Sequence, residues 1–125
     1  MAKFVFISHV FEDSQFIGNM KDWEKDPQFD YKIIAETQDI RNEGYEVIRE
    51  RILKKIKNCS AVIVLIGNDS HNKTWIEVEV EWANSNKKKI VCARIPNSTG
   101  GIPDILKKCE VIDFEKKKVQ KALKK

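Results

Sequence analysis

The stretch Ala61-Val-Ile-Val-Leu-Ile66, followed seven residues later by Thr74-Trp-Ile-Glu-Val-Glu-Val-Glu-Trp-Ala83, decides the fold. The first segment is apolar throughout, which is typical of a central strand covered on both faces. The second segment alternates apolar and acidic residues and fits two structures. With a period of two it is a half-exposed strand, and with a period of 3.6 it is an amphipathic helix.

We interpret the second segment as a helix because of what surrounds it. Another apolar strand is predicted over residues 90–95, and parallel neighbouring strands need a crossover of about a dozen residues, usually a helix. Residues 68–89 supply that length. Lysines near the end of the segment also suit the negative end of a helix dipole.

The rest of the chain alternates strands and helices in the same way. We predict strands over residues 3–7, 31–35 and 110–114, helices over 12–26, 45–58 and 115–125, and a helical turn over 103–108. Pro27 is expected to stop the first helix, with Glu12 and Asp13 in its first turn. Alternation of this kind predicts an α/β protein with a flavodoxin-like three-layer fold, whose five-stranded parallel sheet has the order 2-1-3-4-5 and helices on both faces.

Length, charge and cysteine content exclude several classes of protein. The 125 residues, 42% of them hydrophobic, suffice for one domain, to which we assign residues 1–125. The formal net charge is +4, but six lysines and no acidic residue lie in residues 116–125, so the rest of the chain is slightly acidic. These lysines lack interleaved aromatic residues, and we expect no nucleic-acid partner.

The remaining composition predicts a cytoplasmic protein without a membrane partner. No apolar run has the length to span a bilayer. The three cysteines form no C-x-x-C pair, and we expect free thiols in a reducing compartment; with only two histidines, we expect no metal site. Neither G-x-G-x-x-G nor G-x-x-x-x-G-K occurs, which counts against Rossmann-type dinucleotide binding and P-loop hydrolysis.

Helical phase singles out one glutamate in the 74–83 segment. Glu77 and Glu81 fall toward solvent, whereas Glu79 falls near the middle of the apolar arc. Burying an unpaired charge is costly, so such a carboxyl group is partnered, protonated or placed in a cleft. Two interpretations stay open: a functional carboxyl group at the carboxyl ends of the strands, or a structural glutamate bonded to a nearby backbone group or lysine.

A second candidate site follows the first strand, in Ser8-His9-Val10-Phe11-Glu12-Asp13-Ser14. In this fold the topological switch point lies between strands one and three, and ligands bind there. Backbone N–H groups at the start of the next helix can hold an anion. The alternative is helix capping by Asp13 or Ser14, with His9 as a surface residue.

Several stretches together resemble TIR (Toll and interleukin receptor) domains. Phe4-Val-Phe-Ile-Ser8, with His9 and Glu12-Asp13 after it, is similar to their opening strand and loop. The fuller resemblance is to small bacterial and archaeal TIR-like proteins, among them the NAD-consuming sensor subunit of the Thoeris antiphage system. It covers about residues 3–95 and includes a helix like Ile48–Ile56, a strand ending in Gly67, and Trp-x-x-x-Glu at Trp75 and Glu79.

The resemblance implies an enzyme, an NAD glycohydrolase or cyclase. In enzymatic TIR domains the glutamate of this helix is the catalytic residue for cleaving the nicotinamide–ribose bond, which assigns that role to Glu79, with Glu77 as a rival. NAD is then the substrate, and no further cofactor is expected. The implied substrate-binding residues are Ser8, His9, Phe11, Asp39, Ser70 and Trp75.

The resemblance also implies partners and a setting. The product is ADP-ribose or a cyclic ADP-ribose-type signal that a downstream effector protein reads, in antiviral defence or stress signalling. Self-association through TIR–TIR contacts is expected. The loop over residues 39–44 lacks the proline-containing pattern of receptor-type TIR domains. Two alternatives stay open: a non-catalytic TIR-like interaction module, and an enzyme like the nucleoside deoxyribosyltransferases.

Overall fold

The sheet is built around the apolar segment quoted first, which is buried along its whole length. A computed structural model describes residues 3–10, 13–35, 44–68 and 74–125. The strands are β1 (Lys3–Ser8), β2 (Tyr31–Ala35), β3 (Ala61–Ile66), β4 (Lys89–Arg94) and β5 (Val111–Asp113). All neighbours pair in parallel, in the order β2-β1-β3-β4-β5. The predicted sheet and its strand order are therefore confirmed.

Helices cover both faces of this sheet, as predicted. They are α1 (Gln15–Trp23), α2 (Tyr45–Lys57), α3 (Thr74–Ser85) and α4 (Lys116–Lys124), and a 3₁₀ turn at Asp104–Leu106 lies between β4 and β5. α1 and α4 pack with the side chains of Val5, Ile7 and Ile63 on one face. α2 and α3 pack with Phe6 and Val64 on the other, so alternate residues of β1 and β3 enter opposite layers.

The ambiguous 74–83 segment is a helix. Ile76, Val80 and Ala83 are buried against the sheet, and Glu77 and Glu81 are exposed. β3 and β4 are parallel neighbours, so the chain between them must leave the sheet and cross one of its faces. A helix makes this crossover, whereas a strand inserted between β3 and β4 would separate them. The helical interpretation is confirmed together with its phase.

The first helix is shorter than predicted. α1 begins at Gln15, so Asp13 lies before it, and no acidic residue lies in its first turn. The Asp13 carboxyl group instead packs against the end of β3, since a Cβ atom at Gly67 would lie 2.3 Å from Asp13 Oδ2. Ser14 occupies the N-cap position without a side-chain cap hydrogen bond, so Ser14 does not make the capping contact that was the alternative for this stretch.

The end of α1 also differs from the prediction. The helix ends at Trp23, where the chain turns, so Pro27 is not the residue that stops it. Asp26 Oδ1 accepts a hydrogen bond from the backbone N–H of Gln28, and Asp26 Oδ2 pairs with Lys116 Nζ at 2.6 Å. Such side-chain bonds favour a turn over another helical residue. β2 and β3 have the predicted bounds, and the boundaries of the remaining elements differ from those predicted by at most two residues.

The outer edge of β2 is closed by side chains of the α1 region. The backbone N–H of Ile33 donates to Glu24 Oε1 at 2.9 Å, and the carbonyl oxygen of Ile33 accepts from Lys21 Nζ at 2.8 Å. These two bonds satisfy the outward-facing peptide groups of one residue on an edge strand, where unpaired groups invite association. Across the described ranges, no helix is both long and apolar enough to cross a membrane.

Candidate functional site

Glu79 and Ser8 form a buried hydrogen bond between α3 and the end of β1. The Ser8 hydroxyl donates to Glu79 Oε1 at 2.7 Å. Glu79 is 6% exposed and Ser8 is 0% exposed, and within the described ranges these are the two buried polar or charged residues. The expected lone carboxyl group on the sheet-facing side of α3 is thus present, and it has a side-chain partner.

Strand register and helical phase bring the two residues together. Ser8 is the last residue of β1 and pairs with Val64 of β3, so it stands at the carboxyl edge of the two central strands. Glu79 lies one residue before Val80 on the buried side of α3, which starts above that same edge. In an open sheet of this order, β1 and β3 flank the topological switch point, where ligands bind.

Burial dominates the electrostatics of Glu79. Removal from water raises the pKa of this carboxyl group to about 8, and the bond from Ser8 lowers it in part. At neutral pH the ligand-free carboxyl group is therefore mostly protonated. A nearby positive charge would favour its ionised form, because opposite charge stabilises a carboxylate.

His9 lies beside this pair in sequence but faces the start of α1. Its Nδ1 atom is 3.4 Å from the carbonyl oxygen of Ile7, and its Nε2 atom is 3.4 Å from Ser14 Oγ. Burial lowers the pKa of His9, with a smaller opposing effect from the Ile7 bond. The imidazole is therefore neutral at neutral pH.

An aromatic group stands beside Glu79. Trp75, one helical turn before Glu79, is half-buried and stacks on Tyr45 with ring centroids 5.7 Å apart and planes 25° apart. Trp82 contacts Trp75 edge-on at 6.0 Å. Tyr45 is 53% exposed at the start of α2 and was not singled out from the sequence. The available signal was an aromatic residue at the first position of that helix, in phase with its isoleucine stripe.

The remaining predicted site residues are either exposed on α3 or outside the described part of the chain. Glu77, the rival carboxyl group, is exposed to solvent on α3, away from the Ser8 bond. Phe11, Asp39 and Ser70 lie outside the described residues. In the part of the chain that is described, no group of three His, Cys, Asp or Glu side chains could hold a metal ion.

The end of β4 contributes a residue that sequence analysis did not select. Arg94 Nη1 donates to the carbonyl oxygen of Gly100 at 3.0 Å and ties the loop after β4 back to that strand. In the same loop, Ser98 Oγ donates to the carbonyl oxygen of Ile95 at 2.6 Å and lies 3.2 Å from that of Ile66. A lone arginine at the end of an apolar strand was the signal for this anchor.

Comparison with known proteins identifies the family. The family model for the TIR-like domain of Thoeris protein ThsB matches residues 6–100, a range that contains both Ser8 and Glu79. No curated protein sequence matches.

Solved structures share the fold at low sequence identity. The TIR domain of the Toll-related receptor TRR-2 from Hydra magnipapillata is similar with a TM-score of 0.64 and 18% identity, over 95% of this chain and 90% of that one. A 2-desoxiribosyltransferase from Leishmania mexicana has a TM-score of 0.58 and 17% identity, over 74% and 64%. TIR domains of the activated Roq1 resistosome have a TM-score of 0.54 and 14% identity, over 76% and 58%.

The similarity to these three structures shows the fold alone. This chain spans less than two thirds of the length of the Leishmania mexicana enzyme and of the Roq1 chain. The family model is the stronger finding because it matches most of the sequence, from the end of β1 to the loop after β4. The chain therefore belongs to the TIR-like domain family of Thoeris protein ThsB.

Proposed function

We propose that the protein cleaves the bond between nicotinamide and ribose in NAD, with Glu79 as the catalytic carboxyl group. One observation carries the proposal: a buried carboxyl group, held by the Ser8 hydroxyl at 2.7 Å, lies at the switch point of a TIR-like fold. Buried titratable groups with strongly shifted pKa values are concentrated at functional sites.

The chemistry needs a negative group beside the ribose. As the C1′–N bond of NAD breaks, its electron pair passes to the pyridinium ring and nicotinamide leaves as a neutral molecule. Positive charge then develops on C1′ and the ring oxygen of ribose, where an ionised Glu79 would stabilise it. Water attack at C1′ gives ADP-ribose and a proton, whereas attack by a nucleophilic atom of the same molecule gives a cyclic product.

Burial suits Glu79 to this substrate. The free carboxyl group is mostly neutral at pH 7, so keeping it out of water is less costly than burying a carboxylate. The cationic nicotinamide ring favours its ionisation on binding. The negative charge thus forms where the positive charge of the substrate is present.

Family membership supports the proposed setting. We infer that the product acts as a nucleotide signal for a downstream effector protein in antiviral defence, and that copies of this domain associate through TIR–TIR contacts. The similar Roq1 structure is described as TIR domains of an activated resistosome, an assembly of that protein.

The decisive experiment compares two isosteric substitutions on the same helix. Glu79→Gln removes the buried carboxyl group and keeps its size, while Glu77→Gln makes the same change at an exposed position. NAD is incubated with each purified variant at high protein concentration, once alone and once with lysate of cells in which the proposed antiviral response has been triggered. Released nicotinamide is quantified, and products are identified by mass spectrometry.

We expect Glu79→Gln to reduce nicotinamide release by a factor of at least about 100 at pH 8, while Glu77→Gln keeps the wild-type rate. Such losses are usual when an essential electrostatic group is removed from an active site. Equal NAD consumption by wild type and Glu79→Gln excludes Glu79 as the catalytic residue. Loss of activity in Glu77→Gln alone transfers the role to the rival.

A non-catalytic interaction module is the second candidate function. It is supported by the exposed apolar side chains Tyr45 and Val47 on α2, which are 53% and 55% exposed. In that case no sample releases nicotinamide, and Glu79→Gln leaves self-association unchanged. Tyr45→Ala would then weaken association, as measured by light scattering.

The likeness to a 2-desoxiribosyltransferase motivates a third test. An enzyme of that kind also acts at the sugar carbon that carries the base, but it exchanges bases on a deoxyribose. Incubation with deoxyadenosine and free cytosine, without NAD, distinguishes the two chemistries. Formation of deoxycytidine would replace the NAD proposal.

A further inference from the structure

Ser8 is more deeply buried than its predicted role in lining the substrate pocket requires. Its side chain is 0% exposed, so in this conformation no surface of it is open to a ligand. Its hydroxyl instead donates to Glu79 Oε1 at 2.7 Å. Ser8 therefore contacts Glu79 from the buried interior and not from a surface that a ligand could reach.

We propose that Ser8 is the positioning residue for Glu79: its hydroxyl holds one carboxyl oxygen in place and stabilises the negative charge that this buried group must carry during reaction. The proposal rests on the proposed function for its catalytic consequence. The bond itself, and its effect on the ionisation of Glu79, can be measured without any NAD cleavage.

The surroundings of Glu79 give Ser8 this role. The elements packed against α3 are α2, β1, β3 and β4, and the residues that they bury toward it are apolar apart from Ser8 and two thiols. Burial raises the pKa of Cys59 to about 11 and that of Cys92 to about 12, so both thiols are neutral at working pH. Cys109 packs against the same apolar cluster. His9 faces Ser14, at the start of α1, and not Glu79.

No charged group among the described residues replaces Ser8 in stabilising an ionised Glu79. Glu77 and Glu81, on α3 itself, are exposed. Among the described residues, burial raises the pKa of Glu79 and the bond from Ser8 opposes that rise. A carboxylate in such a setting depends on the hydrogen bonds that it accepts, because no cation in the described ranges compensates for its lost hydration.

The bond also limits where the carboxyl group can point. A glutamate side chain has three rotatable bonds, and a second fixed contact removes most of their freedom. With Oε1 held by Ser8, Oε2 is the oxygen that would face the substrate. Reactions through developing charge lose rate when the stabilising atom is misplaced by about 1 Å.

The first experiment measures ionisation directly. The ¹³C signal of the Glu79 side-chain carboxyl group is followed against pH by NMR in wild type, Ser8→Ala, Ser8→Cys and Ser60→Ala. Ser8→Cys keeps nearly the same volume but donates a weaker hydrogen bond. Ser60→Ala is the matched control, because the Ser60 hydroxyl is a donor to the backbone oxygen of Phe4 at 3.2 Å, away from Glu79.

We expect the midpoint of the Glu79 titration to rise by about one pH unit in Ser8→Ala, since the lost bond favoured the charged form. Ser8→Cys should give a smaller rise, and Ser60→Ala none. An unchanged or lowered midpoint in Ser8→Ala overturns the proposal, and so does an equal rise in Ser60→Ala.

The second experiment measures kcat/KM for NAD against pH. Ser8→Ala should be about tenfold slower at pH 7, because the ionised fraction of Glu79 falls about tenfold per unit of midpoint shift. Near pH 10, where Glu79 is ionised in both proteins, most of that loss should disappear. A small loss that remains at pH 10 reflects misplacement of the ionised Glu79, whereas an equal loss at every pH, or a rise in KM alone, assigns Ser8 to folding or to substrate contact and overturns the proposal.

The two experiments separate this proposal from the proposed function. If no variant releases nicotinamide while the NMR midpoint moves as expected, NAD cleavage fails and the Ser8–Glu79 relationship stands. If wild type cleaves NAD and the midpoint does not move, the positioning role fails and the catalytic proposal for Glu79 stands.

Discussion

The Ser8 hydroxyl lies 2.7 Å from Glu79 Oε1 and joins the end of β1 to the middle of α3 across 71 positions of sequence. Both side chains are buried in a layer that is otherwise apolar. A neutral carboxyl group is tolerated there far better than a charged one. The contact therefore links the stability of the domain to the protonation of one side chain.

The stability contributed by Glu79 should fall as pH rises. The folded-state pKa of about 8 lies above the ordinary value of 4.5, so the folded protein holds this proton more tightly than the unfolded chain. The contribution is complete below about pH 4.5 and is lost as pH rises through 8. Between these limits we expect a loss on the order of a few kcal/mol in the free energy of unfolding.

Urea unfolding at pH 5 and pH 8.5 measures this dependence in wild type, Glu79→Gln and Glu77→Gln. Because a glutamine side chain cannot ionise, Glu79→Gln should lose most of the difference between the two pH values and become more stable than wild type at pH 8.5. Glu77→Gln should retain the wild-type difference. Parallel pH dependence in wild type and Glu79→Gln would show that Glu79 titrates normally.

The side chains of Lys21 and Glu24 should protect the edge of β2. Their bonds to the peptide groups of Ile33 are replaced by water in the double variant Lys21→Ala/Glu24→Ala. We expect a loss of about 1–2 kcal/mol in stability and concentration-dependent association through the opened edge. Urea unfolding and sedimentation velocity provide the two measurements.

The neighbouring pair Asp22 and Lys25 is the control for that variant. Its side chains are 69% and 82% exposed, and pairs of this kind contribute little. Asp22→Ala/Lys25→Ala should change stability by less than about 0.5 kcal/mol and should stay monodisperse to the same extent as wild type. Equal association in both double variants would remove the special role of the Ile33 bonds.

Two glycines should respond to alanine with opposite signs. Gly18 lies exposed inside α1 with nothing within 4 Å of an added Cβ, so Gly18→Ala should stabilise by about 0.5–1 kcal/mol. At Gly100 an added Cβ would lie 2.3 Å from the carbonyl oxygen of Gly67 and 2.4 Å from that of Asn68. Because both contacts are backbone, Gly100→Ala should destabilise by about 1–3 kcal/mol.

Thermal unfolding of the two glycine variants at one pH checks both signs. The loop after β4 is also held by Arg94, which should keep the rest of the sheet folded in Gly100→Ala. A stabilised Gly100→Ala variant would mean that the loop does not lie against the end of β3 in solution.

The three thiols should react in two steps. Cys59 and Cys92 are 3% and 0% exposed, and burial raises their pKa values to about 11 and 12, so little thiolate is present at pH 8. Cys109 is partly exposed. We expect one thiol to react with a disulfide reagent in the folded protein and two more only after denaturation.

Absorbance of the released thiolate counts the reacting groups, and peptide mass spectrometry locates them. Cys109→Ser should abolish the reaction of the folded protein and leave two thiols after denaturation. Rapid reaction at Cys92 in the folded state would show that the packing of β4 opens readily.

Local pattern was sufficient for most of the fold. The uninterrupted apolar run of β3 and the length of the crossover after it led to a parallel sheet, and the phase of α3 placed Glu79 inward and Glu77 outward. These properties depend on residues within a few positions of one another, so a single sequence contains them. Resemblance then gave the family.

The limits of α1 were wrong because they depend on distant residues. Asp13 packs against Gly67, and Asp26 pairs with Lys116, 90 positions away. Acidic residues near a helix start are good local signals, but these contacts favour other conformations once the sheet has formed. The closure of the β2 edge at Ile33 could not be predicted for the same reason.

The sequence by itself determined that a carboxyl group would lie on the sheet-facing side of one helix, because helical periodicity alone sets that direction. Only the tertiary structure decided what that group meets there. Parallel register between β1 and β3 brings the Ser8 hydroxyl to 2.7 Å from it, and the apolar layer around it removes water and raises the pKa of Glu79. Periodicity gives an orientation, whereas hydrogen bonding and desolvation depend on every neighbour that the folded chain supplies.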